Sequence, residues 1–72
     1  MKILRDVNGT VLIAANIACI CKEWEGCQDE QPFYSVSAYS IRGSCYLYKT
    51  LTESQADEKL QEVADYLTSK ED

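Results

Sequence analysis

The chain has 72 residues, of which 46% are apolar and 26% are charged, and its formal net charge is -5 at pH 7. This length fits one domain, and the apolar share is too high for a disordered segment. The acidic balance argues against contact with nucleic-acid phosphates, and no apolar run exceeds five residues, whereas a membrane helix needs ~20. We therefore expect neither a nucleic-acid partner nor a membrane partner.

The first 16 residues predict a β-hairpin. Lys2–Asp6 and Val11–Ala15 are strand candidates, and the Asn8-Gly9 pair between them favours a type I′ turn, in which both central residues have positive φ. Asn16 predicts a break before the next strand. Polar residues interrupt this region, which speaks against a secretory signal, so we expect a cytoplasmic chain.

Three further strands are predicted to complete an antiparallel meander of four to five strands. The expected segments are a strand at Ile17–Glu25, a polar loop at Gly26–Pro32, a strand at Phe33–Ile41, a tight turn at Arg42-Gly43 and a last strand at Ser44–Leu51. The two-residue turn would place Tyr39 opposite Tyr46 and Ala38 opposite Leu47.

The hydrophobic period then changes to that of a helix. Thr52 and Gln55 fit a capping box, which predicts a helix from Glu53 to about Ser69. Its apolar stripe consists of Ala56, Leu60, Val63, Ala64 and Leu67. Because such a stripe must cover a sheet face, we predict an α+β fold: a single domain over residues 1–72, with the C-terminal helix packed on one face of the sheet.

The predicted register gives the sheet two different faces. The face under the helix would carry Tyr34, Val36, Ala38, Cys45, Leu47 and Leu51, and the opposite face would carry aromatic side chains. We take Trp24, Tyr39, Tyr46 and Tyr48 as candidate interaction residues, because Tyr and Trp are enriched among interface anchors. The alternative is that these rings are ordinary half-exposed strand residues. A base-stacking platform would need a basic groove, which the sequence lacks.

The four cysteines allow three interpretations. Cys19, Cys21, Cys27 and Cys45 could be buried thiols, disulfide partners or thiolate ligands of a zinc ion. Cys19 and Cys21 lie two residues apart on one strand, too far to bridge comfortably, and the other two do not form a close zinc-binding pair. Buried thiols are the favoured interpretation, with no metal and no cofactor.

Catalytic signatures are missing from the sequence. Histidine is absent, and no nucleophile accompanies a base, so we expect a protein that is not an enzyme. The acidic residues of the helix, such as Glu58 and Glu62, form either a solvated face or a surface that imitates nucleic-acid phosphates in a basic cleft.

Several segments together resemble small uncharacterised proteins of Firmicutes and their phages that combine a strand meander with a C-terminal helix. The matching segments are Lys2–Leu4, Asn8-Gly9, Tyr34–Ala38 and the helix entry at Leu51–Glu53, with Ala56, Leu60, Val63 and Ala64. The resemblance implies a bacterial or phage protein of the cytoplasm with an interaction role, and it assigns no catalytic or binding residue. The cysteines, Trp24 and the tyrosine-rich hairpin lie outside the pattern.

Three functions therefore stay open. The first is a protein-interaction module that contacts a second copy or another protein through the aromatic face or a sheet edge. The second is an acidic phage-type inhibitor that occupies a basic site on a host protein. The third is a small module stabilised by zinc at the four cysteines.

Overall fold

A computed structural model of the protein describes residues 1–70. The elements in chain order are β1 (Ile3–Arg5), β2 (Val11–Ile13), a short 3-10 turn (Ala14–Asn16), β3 (Cys19–Gln28), β4 (Gln31–Ser40), β5 (Gly43–Leu51) and α1 (Glu53–Thr68). β1 and β2 form a two-stranded antiparallel sheet, and β3, β4 and β5 form a three-stranded one with β4 in the centre. The predicted α+β class is confirmed, with the five strands divided between two sheets.

The first hairpin is present, but its turn is not of type I′. The Gly9 N–H donates to the Asp6 carbonyl (3.0 Å), and Gly9 has a φ of 84° whereas Asn8 has no positive φ. This is a type I turn followed by a left-handed residue. The Asp6 carboxylate accepts from the Asn8 and Thr10 amides (2.9 and 2.8 Å), which favours the wider turn. β1 and β2 are correspondingly shorter than predicted.

The polar segment predicted as a loop at Gly26–Pro32 is mostly strand. β3 continues to Gln28 and β4 begins at Gln31, which leaves Asp29 and Glu30 as a two-residue turn. Both turn residues have positive φ (52° and 66°), as a type I′ turn requires. The loop prediction was wrong because a solvated strand end and a loop have the same polar composition.

The last hairpin turns one residue earlier than predicted. Ser40 pairs with Gly43, so residues 41 and 42 form the turn, and the predicted Tyr39–Tyr46 pair does not exist. Gly43 has a φ of 127°, a conformation that side-chain-bearing residues rarely adopt. The glycine therefore follows the turn instead of forming part of it.

The helix begins as predicted and ends one residue before the expected end. The Thr52 side chain accepts from the Gln55 N–H (3.2 Å), and the Gln55 side chain accepts from the Thr52 N–H (3.0 Å). This reciprocal capping box satisfies two backbone donors that would otherwise lack partners at the helix start. No helix in residues 1–70 is long and apolar enough to cross a membrane.

The hydrophobic core lies between the helix and one face of the three-stranded sheet. Its buried apolar residues are Val36, Ala38, Leu47, Ala56 and Val63, and Tyr34, Cys45 and Leu51 pack against them. The predicted core face is therefore confirmed. Leu4 and Leu12 of the first hairpin pack against the same cluster, so the hairpin and the helix cover the same side of the sheet.

Polar contacts fasten the first hairpin to the end of the helix. The Lys2 ammonium donates to the carbonyls of Leu67 and Ser69, where the negative end of the helix dipole favours a cation. The Ile3 N–H donates to the Tyr66 hydroxyl (3.1 Å). These bonds hold β1 beside α1.

Candidate interaction surfaces

The sheet face turned away from the helix, called the outer face below, is organised by the carboxylate of Glu23. The Tyr39 hydroxyl donates to it at 2.6 Å and the Cys21 thiol at 3.7 Å. Hydrogen bonds from the Tyr39 and Ser37 hydroxyls hold the pKa of Glu23 below its ordinary value. The same carboxylate raises the pKa of Tyr39, and burial raises the pKa of Cys21.

A second carboxylate, Glu25, binds the neighbouring part of the outer face. The fully buried Ser35 donates its hydroxyl to Glu25 at 2.6 Å, and the negative charge of Glu25 raises the pKa of Tyr46. The Lys49 ammonium lies 4.8 Å from the centre of the Tyr46 ring. Within residues 1–70 no buried side-chain polar atom lacks a partner, so this network is satisfied internally.

The four predicted aromatic residues do not form one surface. Tyr39 and Tyr46 lie on the outer face, as neighbours across one diagonal of the β4–β5 register. Trp24 pairs with Tyr34, which packs against the core, so Trp24 belongs to the helix side of the sheet, where 62% of it is exposed. The expectation that Trp24 joins the tyrosine face is wrong.

Tyr48 also lies on the helix side, because a β-bulge interrupts β5. Ser37 pairs with Tyr46 whereas the adjacent Val36 pairs with Tyr48, so two residues of β5 oppose one of β4. Tyr48 packs against the core, with the Lys59 ammonium 5.3 Å from its ring centre. No sequence signal marks this bulge. A role for these aromatic residues in binding stays a prediction.

The cysteines are free thiols at separate places in the sheet. Cys19 and Cys21 lie on the outer face, whereas Cys45 is opposite Ala38 on the helix side and Cys27 is opposite Pro32. Six residues of β4 separate those two positions, about 20 Å along a strand. Burial, with a smaller contribution from Asp6, raises the pKa of Cys45.

The thiol predictions have a mixed outcome. Cys21 and Cys45 are half-buried, but Cys19 and Cys27 are exposed, so the expectation of buried thiols is wrong for the latter two. Among residues 1–70 no group of three or more cysteines or carboxylates is placed to hold a metal ion. The zinc alternative stays a prediction for direct metal analysis.

Lysines compensate part of the acidic surface of the helix. Lys22 of β3 reaches Asp57 at 2.7 Å and Glu53 at 3.2 Å, and these hydrogen bonds raise the pKa of Lys22. Lys59 pairs with Glu62 at 3.1 Å. The carboxylates that could imitate phosphates are therefore partly neutralised by the chain itself.

An exposed aliphatic surface on the first hairpin was not predicted. Its residues are Ile3, Val11 and Ile13, each 38–44% exposed, whereas Leu4 and Leu12 on the other side pack on the core. The available signal was the run at 11–15, which is apolar at every position. Strands with one wet face normally alternate apolar and polar residues, so an unbroken apolar run indicates that both faces are covered.

Comparison with known proteins found no relative of the chain. No protein-family model, no curated protein and no solved structure matches the chain. A function must therefore be inferred from the surfaces of the chain itself.

Proposed function

We propose that the protein is a non-enzymatic interaction module that associates with a second copy of itself. The observation that carries this proposal is the distribution of apolar side chains. Within residues 1–70, five apolar residues are buried and none is larger than leucine, whereas nine large hydrophobic residues are exposed: Met1, Ile3, Val7, Val11, Ile13, Trp24, Ile41, Tyr46 and Tyr66. Three of the exposed residues, Ile3, Val11 and Ile13, lie on the same face of the first hairpin, and neighbouring exposed apolar side chains are typical of an interaction site.

The accessible surface supports the same proposal. The protein exposes 5234 Å², whereas a monomer of 8.1 kDa typically exposes about 4,500 Å². The chain therefore exposes roughly 700 Å² more than a compact monomer of its mass. The radius of gyration is 12.6 Å, compared with about 11 Å for a compact chain of this length.

The proposal includes a cytoplasmic setting. Four free thiols favour it, because cysteines in oxidising compartments are usually paired as disulfides. The acidic net charge of -5 opposes the meeting of two copies through their carboxylate-rich surfaces. The contact is therefore expected to form through a weakly charged part of the surface.

Native mass spectrometry of the reduced protein, with sedimentation equilibrium over a wide concentration range, tests the proposal. We expect a metal-free species with the mass of two chains. A single chain at every concentration would contradict self-association. A species that carries one zinc ion per chain would instead support the zinc-stabilised alternative.

A further inference from the structure

We infer that the second copy binds along the free edge of β2, antiparallel to it, so that Val11 of one copy lies opposite Ile13 of the other. The inference rests on the proposed self-association and names its contact surface. The two β2 strands would join the two hairpins into one four-stranded sheet. A two-fold axis would pass between the two Leu12 residues, as expected for a symmetric dimer.

The backbone hydrogen bonds of the hairpin leave this edge open. The Ala14 N–H donates to the Lys2 carbonyl (3.1 Å) and the Asp6 N–H to the Thr10 carbonyl (3.0 Å). Antiparallel pairs alternate between bonded and non-bonded positions, so Leu12 is bonded to Leu4 in the register of the hairpin. The N–H and C=O groups of the residues on either side of Leu12 therefore point away from β1.

The β1 edge provides an internal check on this assignment. By the same alternation the Ile3 N–H must point out of the hairpin, and it does, because it donates to the Tyr66 hydroxyl (3.1 Å). The helix thus occupies the outer edge of β1 at Ile3. Within residues 1–70, β2 has no second strand beside it, so the Val11 N–H and C=O and the Ile13 N–H have no strand partner on this side. The Ile13 carbonyl begins the 3-10 turn at Ala14–Asn16 and would be shared between that turn and a second copy.

The free edge is complementary to a copy of itself. Its two outward-facing residues are spaced by two, which is the repeat of bonded positions in an antiparallel ladder. Two β2 strands related by a two-fold axis would form two Val11–Ile13 pairs. Each pair would have one hydrogen bond from the Ile13 N–H to the Val11 carbonyl and one from the Val11 N–H to the Ile13 carbonyl, and the second carbonyl is shared with the 3-10 turn. Each pair would also bring two β-branched side chains into contact, a favourable combination across strands.

The other sheet edges are less suited to a partner. β3 carries Lys22, Glu23 and Glu25 and an irregularity between Trp24 and Gly26, and charges and bulges are the usual protection of an edge strand. The β5 edge already accepts a hydrogen bond, from the Val7 N–H to the Tyr46 carbonyl (2.8 Å). β2 contains no charged residue.

Charge also favours contact between two hairpins. Residues 1–18 contain two bases and one acid, although the whole chain has a net charge of -5. The acidic excess therefore lies elsewhere in the chain, and two copies that meet at β2 approach each other where their mutual repulsion is weakest.

The first experiment introduces like charges at the proposed contact. The Val11→Lys, Ile13→Lys double variant places lysines opposite each other across the two-fold axis. Both side chains are already partly exposed, at 44% and 38%, so the monomer should fold, as checked by circular dichroism. Sedimentation equilibrium should show at least a tenfold rise in the dimer dissociation constant. Ile41→Lys is the control, since Ile41 is a fully exposed β-branched residue in the turn between β4 and β5, and it should leave the constant unchanged.

A charge-swap experiment tests the register. A Val11→Glu, Ile13→Glu chain should also be monomeric alone, but an equimolar mixture with the lysine variant should form a heterodimer, because each cross-strand pair becomes Lys–Glu. Native mass spectrometry distinguishes the species. If the wild type dimerises but the mixture does not, or if the lysine variant dimerises normally, the β2 contact is refuted and self-association stands. If the wild type itself is monomeric, both proposals fail.

Hydrogen exchange of the wild-type protein provides a test that needs no variant. Exchange at the Val11 and Ile13 amides should slow as the protein concentration rises, because these amides become bonded only in the dimer. The Leu12 amide is bonded within the hairpin and should respond much less. Exchange at Val11 and Ile13 that is independent of concentration in a dimerising sample would overturn the inference.

Discussion

Val36 is the largest fully buried side chain among residues 1–70, and its replacement by alanine tests how much the small core contributes to stability. It lies on the central strand β4, between Lys22 of β3 and Tyr48 of β5 in the register. The buried cluster around it includes Ala56 and Val63 of the helix. The substitution therefore leaves a gap where the sheet meets the helix.

The expected cost has two parts. The lost burial of two methyl groups costs about 1.5 kcal/mol, and the space left behind adds roughly another 1 kcal/mol, for a total of about 2–3 kcal/mol. A single core in a chain of this size rarely supplies more than ~3–5 kcal/mol of net stability. Val36→Ala should therefore remove half or more of the free energy of unfolding.

Urea denaturation followed by far-ultraviolet circular dichroism measures this loss. Val7→Ala is the control, because Val7 is 44% exposed, and its cost should stay below about 0.5 kcal/mol. All variants should be compared at one protein concentration, since association with a second copy adds stability that depends on concentration. Equal costs for the two variants, or a loss below about 1 kcal/mol for Val36→Ala, would refute this description of the core.

Further predictions concern the polar contacts and the cysteines. Tyr39→Phe should raise the pKa of Glu23 toward its ordinary value in an NMR titration, whereas Tyr34→Phe should not. The pKa of Glu23 is lower in the folded protein than its ordinary value of 4.5. The ionised Glu23 therefore stabilises the fold above pH 4.5, and this stabilisation is lost as the pH falls through the pKa of the folded state. The loss of stability in acid should be smaller in Tyr39→Phe. Thr52→Ala should cost about 1 kcal/mol in urea denaturation. Lys22→Met should lower the melting temperature more at low salt than in 1 M salt, because the high salt already screens the ion pairs of Lys22 in the wild type. A chelator should leave the melting temperature unchanged, and a large drop would favour the zinc alternative.

Patterns with a local cause were predictable from the sequence. The capping box at Thr52 requires only residues three apart, and the helix follows from the spacing of its apolar residues. The core face of β4 follows from the alternation of side chains along a strand, since the extra residues at the register shifts lie in its neighbours β3 and β5. These are the elements for which one strand or one helix contains all of the necessary information.

The unpredicted features depend on pairs of strands. The bulge that turns Tyr48 toward the helix exists only in the register between β4 and β5, and nothing in the spacing of the β5 residues reports it. The turn at Asp29 and Glu30 adopts positive φ at both residues. Aspartate tolerates this conformation, but Glu30 occupies the second position, where glycine is usual, so the turn signal was incomplete. The predicted aromatic surface lost Tyr48 for the same reason, because one inserted residue moves a side chain to the other face of the sheet. It lost Trp24 because the pairing of β3 with β4 places Trp24 opposite Tyr34.

The core of the protein is completed by Tyr48 and by the first hairpin. By placing Tyr48 beneath Lys59, the bulge adds an aromatic ring to a core whose buried members are otherwise small. The first hairpin adds Leu4 and Leu12 to that core but exposes its other aliphatic side. A two-stranded sheet is marginally stable by itself and gains stability when further strands extend it. Pairing of two β2 strands would therefore stabilise the part of the fold with the least internal support, and the local stability of the hairpin should rise with protein concentration before the helix or the three-stranded sheet responds.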